Sequence, residues 1–223
     1  MTAYGVMFHR FHGNGHPQVQ GSISGGVLAD LIGCLGRANI LAAEEWMCRA
    51  REGALSDNDI CLTFDDALRC QYDVALPVLR DFGLTAFWFV YSSVFEGNIE
   101  PLEVYRYFRT TEFPSIDDFY RQFFAAASSR FPDEYGSWSD GFNPDVYLAD
   151  FPFYTRDDRF FRYLRDEKLG PDRYNALMTA MMNVHRFDVA AIAGQLWMTN
   201  EHLRVLHGQG HVIGLHRTVI PHA

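Results

Sequence analysis

Two adjacent carboxylates, Asp65 and Asp66, end the apolar run Ile60-Cys61-Leu62 as Thr63-Phe64-Asp65-Asp66. At the carboxyl end of a strand, one such group can hold a metal ion while the other accepts a proton. An Asp-Asp pair also opens helices by accepting their first free N–H groups, so the dipeptide alone leaves both uses open. Near the other end of the chain, Gly210-His211-Val212-Ile213-Gly214-Leu215-His216 is a short apolar run that ends on a histidine. A carboxylate and an imidazole from the ends of two parallel strands suit a metal ion.

The neighbouring segments supply the elements that would position these groups. Residues 67–82 place Leu68, Tyr72, Ala75, Leu76 and Leu79 at helical spacing, and Gly83 ends the pattern. Residues 85–91 are apolar nearly throughout and predict a buried strand. The carboxylates therefore lie on a strand–helix–strand unit, at the end where α/β folds keep their chemistry. Residues 4–9 predict a first strand and 199–207 a helix before the last one. Between them, helices over 28–36 and 42–52 flank a short strand at 39–41 and continue the α/β alternation.

Thr63-Phe64-Asp65-Asp66, followed by a helix and the strand Thr85-Ala86-Phe87-Trp88-Phe89-Val90, resembles the first motif of the polysaccharide deacetylases. These are the NodB-like enzymes of carbohydrate esterase family 4. Gly210 to His216 resembles the lead-in to their second motif, and Tyr4-Gly5-Val6-Met7-Phe8-His9 their first strand. The resemblance implies a distorted (β/α) barrel with a large helical insertion, and a metal-dependent hydrolase that removes acetyl from an N-acetylated sugar. Carried over residue by residue, Asp65 is the implied general base, with Asp66 and His216 as metal ligands. Zinc is the family's usual metal. A divalent ion there would acidify a bound water and polarise the acetamide carbonyl, with Asp65 accepting the proton.

The pattern departs from the family after His216, where a second histidine belongs four residues on. Ile220 occupies that position, and His222 stands two residues further. Whether His222 or another residue replaces the ligand stays open. Read one base out of frame, codons permitted for this stretch spell His-Ser-His-Ser-His-Pro-Thr, the pattern with both histidines. The later Arg/Pro, Asp-x-Trp and Leu-x-His motifs that the resemblance implies have no counterpart in this sequence, and a lost base after His216 would explain both departures. The barrel is thus expected to be incomplete, and the exposed edges of an unfinished barrel predict self-association. The alternative is a non-catalytic carbohydrate- or partner-binding remnant of the same fold.

A net charge of −9 argues against nucleic acid or an anionic membrane surface as partner. No basic segment followed by an apolar stretch opens the chain, and no apolar run approaches a membrane span. Cys34, Cys48, Cys61 and Cys70 lack Cys-x-x-Cys spacing and read as reduced, mostly buried thiols. These features point to the cytoplasm, and so to a nucleotide-linked or lipid-linked precursor for lipopolysaccharide O-antigen or capsule synthesis.

His9, His12 and His16 lie in a glycine-rich loop after the first strand. The spacing leaves open a separate metal site, contacts at the barrel mouth, or ordinary loop histidines. The chain divides as 1–96, the first part of the barrel, 97–198, a mainly helical insertion, and 199–223, the return to the barrel. In the insertion, helices are expected over 102–110, 116–129, 159–166 and 172–184, with aromatics that belong mostly to a core. Trp138 stands out because Ser137, Ser139, Asp140 and Gly141 surround it, which reads as a polar loop suited to sugar stacking. Arg156-Asp157-Asp158-Arg159 reads as a solvated face. Beside a barrel mouth such an insertion would act as a lid or specificity element.

Overall fold

Short apolar runs become the strands of a parallel sheet, and the computed structural model describes residues 3–216 of the chain. The described part forms two compact units. One takes the residues up to Glu100 and from Val189 onward, and the other is Pro101–Asp188. Residues 97–100 and 189–198 therefore go with the sheet rather than with the helical segment. Ile220 and His222 lie outside the described residues.

The sheet unit begins with β1 (Tyr4–Phe8), the two-residue strands β2 (Phe11–His12) and β3 (Ile23–Ser24), and α1 (Gly25–Leu35). Then come α2 (Ala43–Glu52), β4 (Ile60–Asp65), α3 (Leu76–Asp81), β5 (Phe87–Val90) and the single turn α4 (Ser92–Phe95). The strand expected at 39–41 reduces to one parallel bridge between Ile40 and Ile60, since Arg37–Asn39 winds into a 3-10 turn.

The helical unit holds α5 (Pro101–Thr111), α6 (Ile116–Arg130), α7 (Pro132–Asp140), α8 (Arg156–Tyr163) and α9 (Gly170–His185). A π-helical turn, Leu164–Leu169, joins the last two. The chain returns to the sheet unit through α10 (Val189–Leu196), α11 (Asn200–Gly208) and β6 (Val212–Leu215).

The four main strands are parallel in the order β1-β4-β5-β6. Among the described residues this sheet does not close on itself. The fold is thus mixed α/β with an open parallel sheet, in keeping with an incomplete barrel. Leu62, Phe64, Trp88, Leu28, Ile32, Leu76 and Leu79 are fully buried in its core. Phe64 stacks on Trp88 at 4.5 Å and on Phe8 at 5.6 Å, contacts worth about 0.5–1.5 kcal/mol each beyond their buried area.

The helical unit has its own aromatic core of Phe108, Phe119, Phe123 and Phe161. Two expectations change here. Trp138 lies on α7 rather than in a loop, and is buried against Phe131 at 5.6 Å. Asp158 is buried on α8, where Arg162 donates to its carboxylate at 2.9 Å and the Thr155 cap accepts its backbone N–H. The cysteines are free, as expected, but Cys34 and Cys48 are exposed while only Cys61 is fully buried. No helix among the described residues is long and apolar enough to cross a membrane.

Candidate active site

Parallel strands bring their carboxyl ends to one edge, and here each end leads into a chemically useful group. Phe8 pairs with Phe64, Asp65 with Phe89, and Val90 with Leu215. His9 follows β1, Asp65 and Asp66 end β4, Tyr91 follows β5, and His216 follows β6. The His216 N–H donates to the Val90 carbonyl at 2.8 Å, which carries the ladder one residue past β6. Tyr91 meets the His216 ring edge to face at 4.8 Å.

After Asp65 the chain turns sharply, with φ of +79° at Asp66 and +55° at Ala67. A left-handed conformation costs a residue with a Cβ roughly 1–2 kcal/mol, so such a turn persists only where its surroundings hold it. Three contacts do so. The Asp66 N–H donates to Phe89 O at 3.0 Å, and the Met198 N–H donates to Ala67 O at 2.9 Å. Leu68 forms an antiparallel bridge with Trp197. The helix expected over 67–82 therefore starts after this turn and opens into a π-helical stretch, Gln71–Ala75, before α3.

Gln71, fully buried on that stretch, supplies a further clamp. Its amide nitrogen donates to the carbonyls of Asp65 at 2.5 Å and His9 at 2.7 Å. It thereby ties the end of β1 to the end of β4. Gln71 is not among the residues that the sequence singles out; its signal there is a polar residue on the apolar face that Leu68, Tyr72 and Ala75 define.

Asp65 and Asp66 are 7% and 6% exposed. Asp65 Oδ2 lies 3.5 Å from His216 Nε2, and Asp66 Oδ2 lies 4.0 Å from His9 Nε2. The histidine expected beside Asp66 thus stands closest to Asp65, and His9 is the neighbour of Asp66. Asp65 Oδ1 is buried without a hydrogen-bond partner among the described residues. Burial pushes the Asp65 carboxyl above its usual range, His216 and His9 pull it partly back, and Asp66 pushes it up again. A carboxylate with a raised proton affinity and one uncommitted oxygen suits a proton acceptor.

His12 and His16 are engaged elsewhere. His12 Nδ1 bonds Ser22 Oγ at 3.0 Å, and His16 Nε2 bonds Asp73 Oδ2 at 2.9 Å. Asp73 also takes a bond from Arg69 at 3.1 Å. Only His9 of the three reaches the carboxylate pair. The carboxylates and imidazoles at the strand ends are suitable donors for a zinc-like ion. Among the described residues, however, no three His, Cys, Asp or Glu side chains converge to hold one. The donor chemistry fits a divalent ion, and the described residues fall short of a complete protein-held set.

No family model matches the chain, and no curated protein does. Among solved structures it is similar to IcaB from Ammonifex degensii, at 23% identity and a TM-score of 0.34, over 40% of this chain and 38% of that one. It is also similar to a de-N-acetylase from Aggregatibacter actinomycetemcomitans, at 21% identity and a TM-score of 0.30, over 43% and 38%. A third similar structure is the deacetylase PplD from Streptococcus pyogenes in complex with acetate, at 18% identity and a TM-score of 0.35, over 49% and 53%. The chain spans between 38% and 53% of the length of these structures. Two of the three are described as deacetylases, and each likeness covers less than half of this chain.

Proposed function

We propose that this chain is a metal-dependent N-deacetylase that removes acetyl from an N-acetylated glycan or glycan precursor. The observation that carries the reading is the buried Asp65, with one uncommitted oxygen, beside Asp66 and 3.5 Å from His216. A divalent cation, zinc by donor type, held by Asp66 and His216 would supply an acidified water and a polarised carbonyl. Asp65 accepts the proton of the attacking water through Oδ1. The Gln71 clamp fixes the backbone of Asp65 and His9, so both side chains start from set positions. Setting them in advance spares the reorganisation that a mobile strand end would need. The cytoplasm and a precursor of a surface polysaccharide complete the proposal, on the charge and the cysteine pattern of the sequence.

Zinc titration calorimetry on the whole chain and on Asp66→Ala tests the reading, together with acetate release from an N-acetylglucosamine oligosaccharide. Specific zinc binding that Asp66→Ala abolishes is the expected result. Asp65→Asn should keep the zinc and lose about 10²–10⁴-fold in acetate release, the usual weight of a general base. Absence of specific zinc binding would instead favour a non-catalytic carbohydrate- or partner-binding protein. That second reading has one observation behind it, the lack of a three-donor set among the described residues.

A further inference from the structure

Most aromatic side chains of the helical unit are packed, but Phe151 and Phe153, between α7 and α8, are 43% and 67% exposed. Single apolar side chains on a surface need no explanation, whereas a contiguous patch of them marks a contact surface. The segment that carries these two is held in place. Arg159 on α8 donates to Pro144 O at 2.7 Å and to Phe151 O at 3.1 Å. The Phe151 N–H donates to Leu148 O and the Tyr154 N–H to Phe151 O, both at 3.1 Å. Phe142 and Tyr147 of the same segment pack on Phe160 and Tyr163 of α8, at 4.9 and 5.4 Å.

The rings form one cluster. Phe153 lies 4.5 Å from Tyr154 and 5.9 Å from Phe151, and Phe151 lies 5.8 Å from Tyr154. The Arg162 guanidinium sits 4.1 Å from the Tyr154 centroid, with the buried Asp158 as its counter-charge. Tyr154 is therefore the inner ring, already in contact with a cation, and Phe151 and Phe153 are the rings turned to water. The sugar stacking expected at Trp138, which is buried, finds its exposed rings here instead. The surroundings are acidic. Residues 140–157 hold Asp140, Asp145, Asp150 and Asp157 against Arg156 alone, and the first three aspartates are exposed.

We propose that Phe151 and Phe153 form a platform for a cationic amino-sugar chain, the deacetylated product of the reaction read at Asp65. The free ring surface is on the order of 200–300 Å², against roughly 800 Å² per partner in a stable protein interface. One or two units of a chain ligand match that area. The aspartates repel anionic membranes and phosphate backbones and concentrate cations near the rings. An aromatic face attracts an ammonium group. A glucosamine unit brings both an apolar C–H face and an ammonium, and its N-acetylated precursor lacks the charge. The platform therefore favours product over substrate. The identity of the ligand rests on the N-deacetylase reading, while the ring cluster and its acidic setting do not.

The test is calorimetric titration of the whole chain with a glucosamine hexasaccharide, in EDTA so that acetylated probes stay acetylated. An N-acetylglucosamine hexasaccharide and spermine serve as parallel probes. The glucosamine chain should bind saturably and more tightly than either, and added salt should weaken it. Phe151→Ala and Phe153→Ala should each weaken binding by roughly threefold to thirtyfold while keeping the parent's Tm, since both rings are exposed. Phe153→Tyr retains a ring face and should bind as the parent does. Val184→Ala, at an exposed apolar position on α9, should leave binding unchanged. The proposal fails if the glucosamine chain does not bind, if either parallel probe binds as tightly, or if the ring variants bind like the parent. It fails too if sedimentation shows a dimer that Phe153→Ala abolishes, which would give the patch to a second copy. Acetate release without glucosamine binding overturns this inference alone. Glucosamine binding without zinc binding or acetate release upholds the platform and overturns only the reaction.

Discussion

At Ala67 a side chain occupies a conformation that glycine adopts without strain, φ of +55°, while being 1% exposed. Ala67→Gly would relieve about 1–2 kcal/mol of backbone strain and add back roughly 0.5–1 kcal/mol of unfolded-state freedom. Loss of the buried methyl costs about 0.8 kcal/mol more, so the terms nearly cancel and the stability read from the denaturant midpoint is expected to stay within about 0.5 kcal/mol of the parent's at unchanged m. Gln71→Leu should destabilise the fold. Two strand-end carbonyls would lose their buried donor, at about 1–3 kcal/mol each. Leu also removes the Gln71 Oε1, which is buried without a partner among the described residues and offsets part of that loss; a net loss of roughly 2–4 kcal/mol in chemical denaturation is expected, and an effect below about 1 kcal/mol would mean that water replaces the amide. Neither position was legible in the sequence. Positive φ at Asp66 and Ala67 has no glycine to announce it, and the partners of Gln71 lie at the ends of two different strands.

The element that delivers His216 depends on a buried histidine that comes before it. His211 is 3% exposed, its Nδ1 accepts the Ala86 N–H at 3.0 Å, and Trp88 packs edge to face on its ring at 5.6 Å. Burial lowers its pKa to about 4, with the bond from Ala86 working against that shift. The unfolded chain therefore takes up this proton at higher pH than the folded chain does. Stability from His211 is complete above about pH 6.5, and it falls as the pH drops from there toward 4. Over that window the loss should be roughly 2–4 kcal/mol, measured by denaturation at a series of pH values. His211→Asn keeps an acceptor for Ala86 without titrating, and should flatten the slope between pH 6.5 and 4. The four main strands and their parallel direction were readable at this scale, because Ile60 to Phe64 and Thr85 to Val90 are largely apolar, whereas the two-residue strands β2 and β3 were too short to show. The partner of each candidate-site side chain was not, since a contact such as His216 with Asp65 joins residues far apart in sequence.

Across the whole molecule, each unit has its own buried core, and substitutions should report accordingly. Phe161 is fully buried among Phe119, Phe123 and Tyr120. Phe161→Ala should cost the helical unit about 3–5 kcal/mol. Trp138 is the only tryptophan between residues 101 and 188, so the fluorescence change that Trp138→Phe removes identifies the transition to follow. Composition and helical spacing announced this segment as helical, and its aromatics as core. They misjudged Trp138 because serines and a glycine around it resembled a loop, while Pro132 at the start of α7 and the ring of Phe131 make it a packed helix.

The neighbouring parallel strands β5 and β6 are joined through every residue from Tyr91 to His211, the helical unit included. The chain entropy of such a long closure grows slowly, and halving the connection would relieve only about 0.6 kcal/mol. The order of events is affected far more than the final stability. On a ribosome, β1, β4 and β5 can pair while Asp65 and Asp66 still lack His216, and the last strand arrives only after the whole helical unit has been made. A growing chain therefore exposes Asp65 and Asp66 to water, without the histidine that meets them in the fold, for as long as the whole helical unit takes to be made.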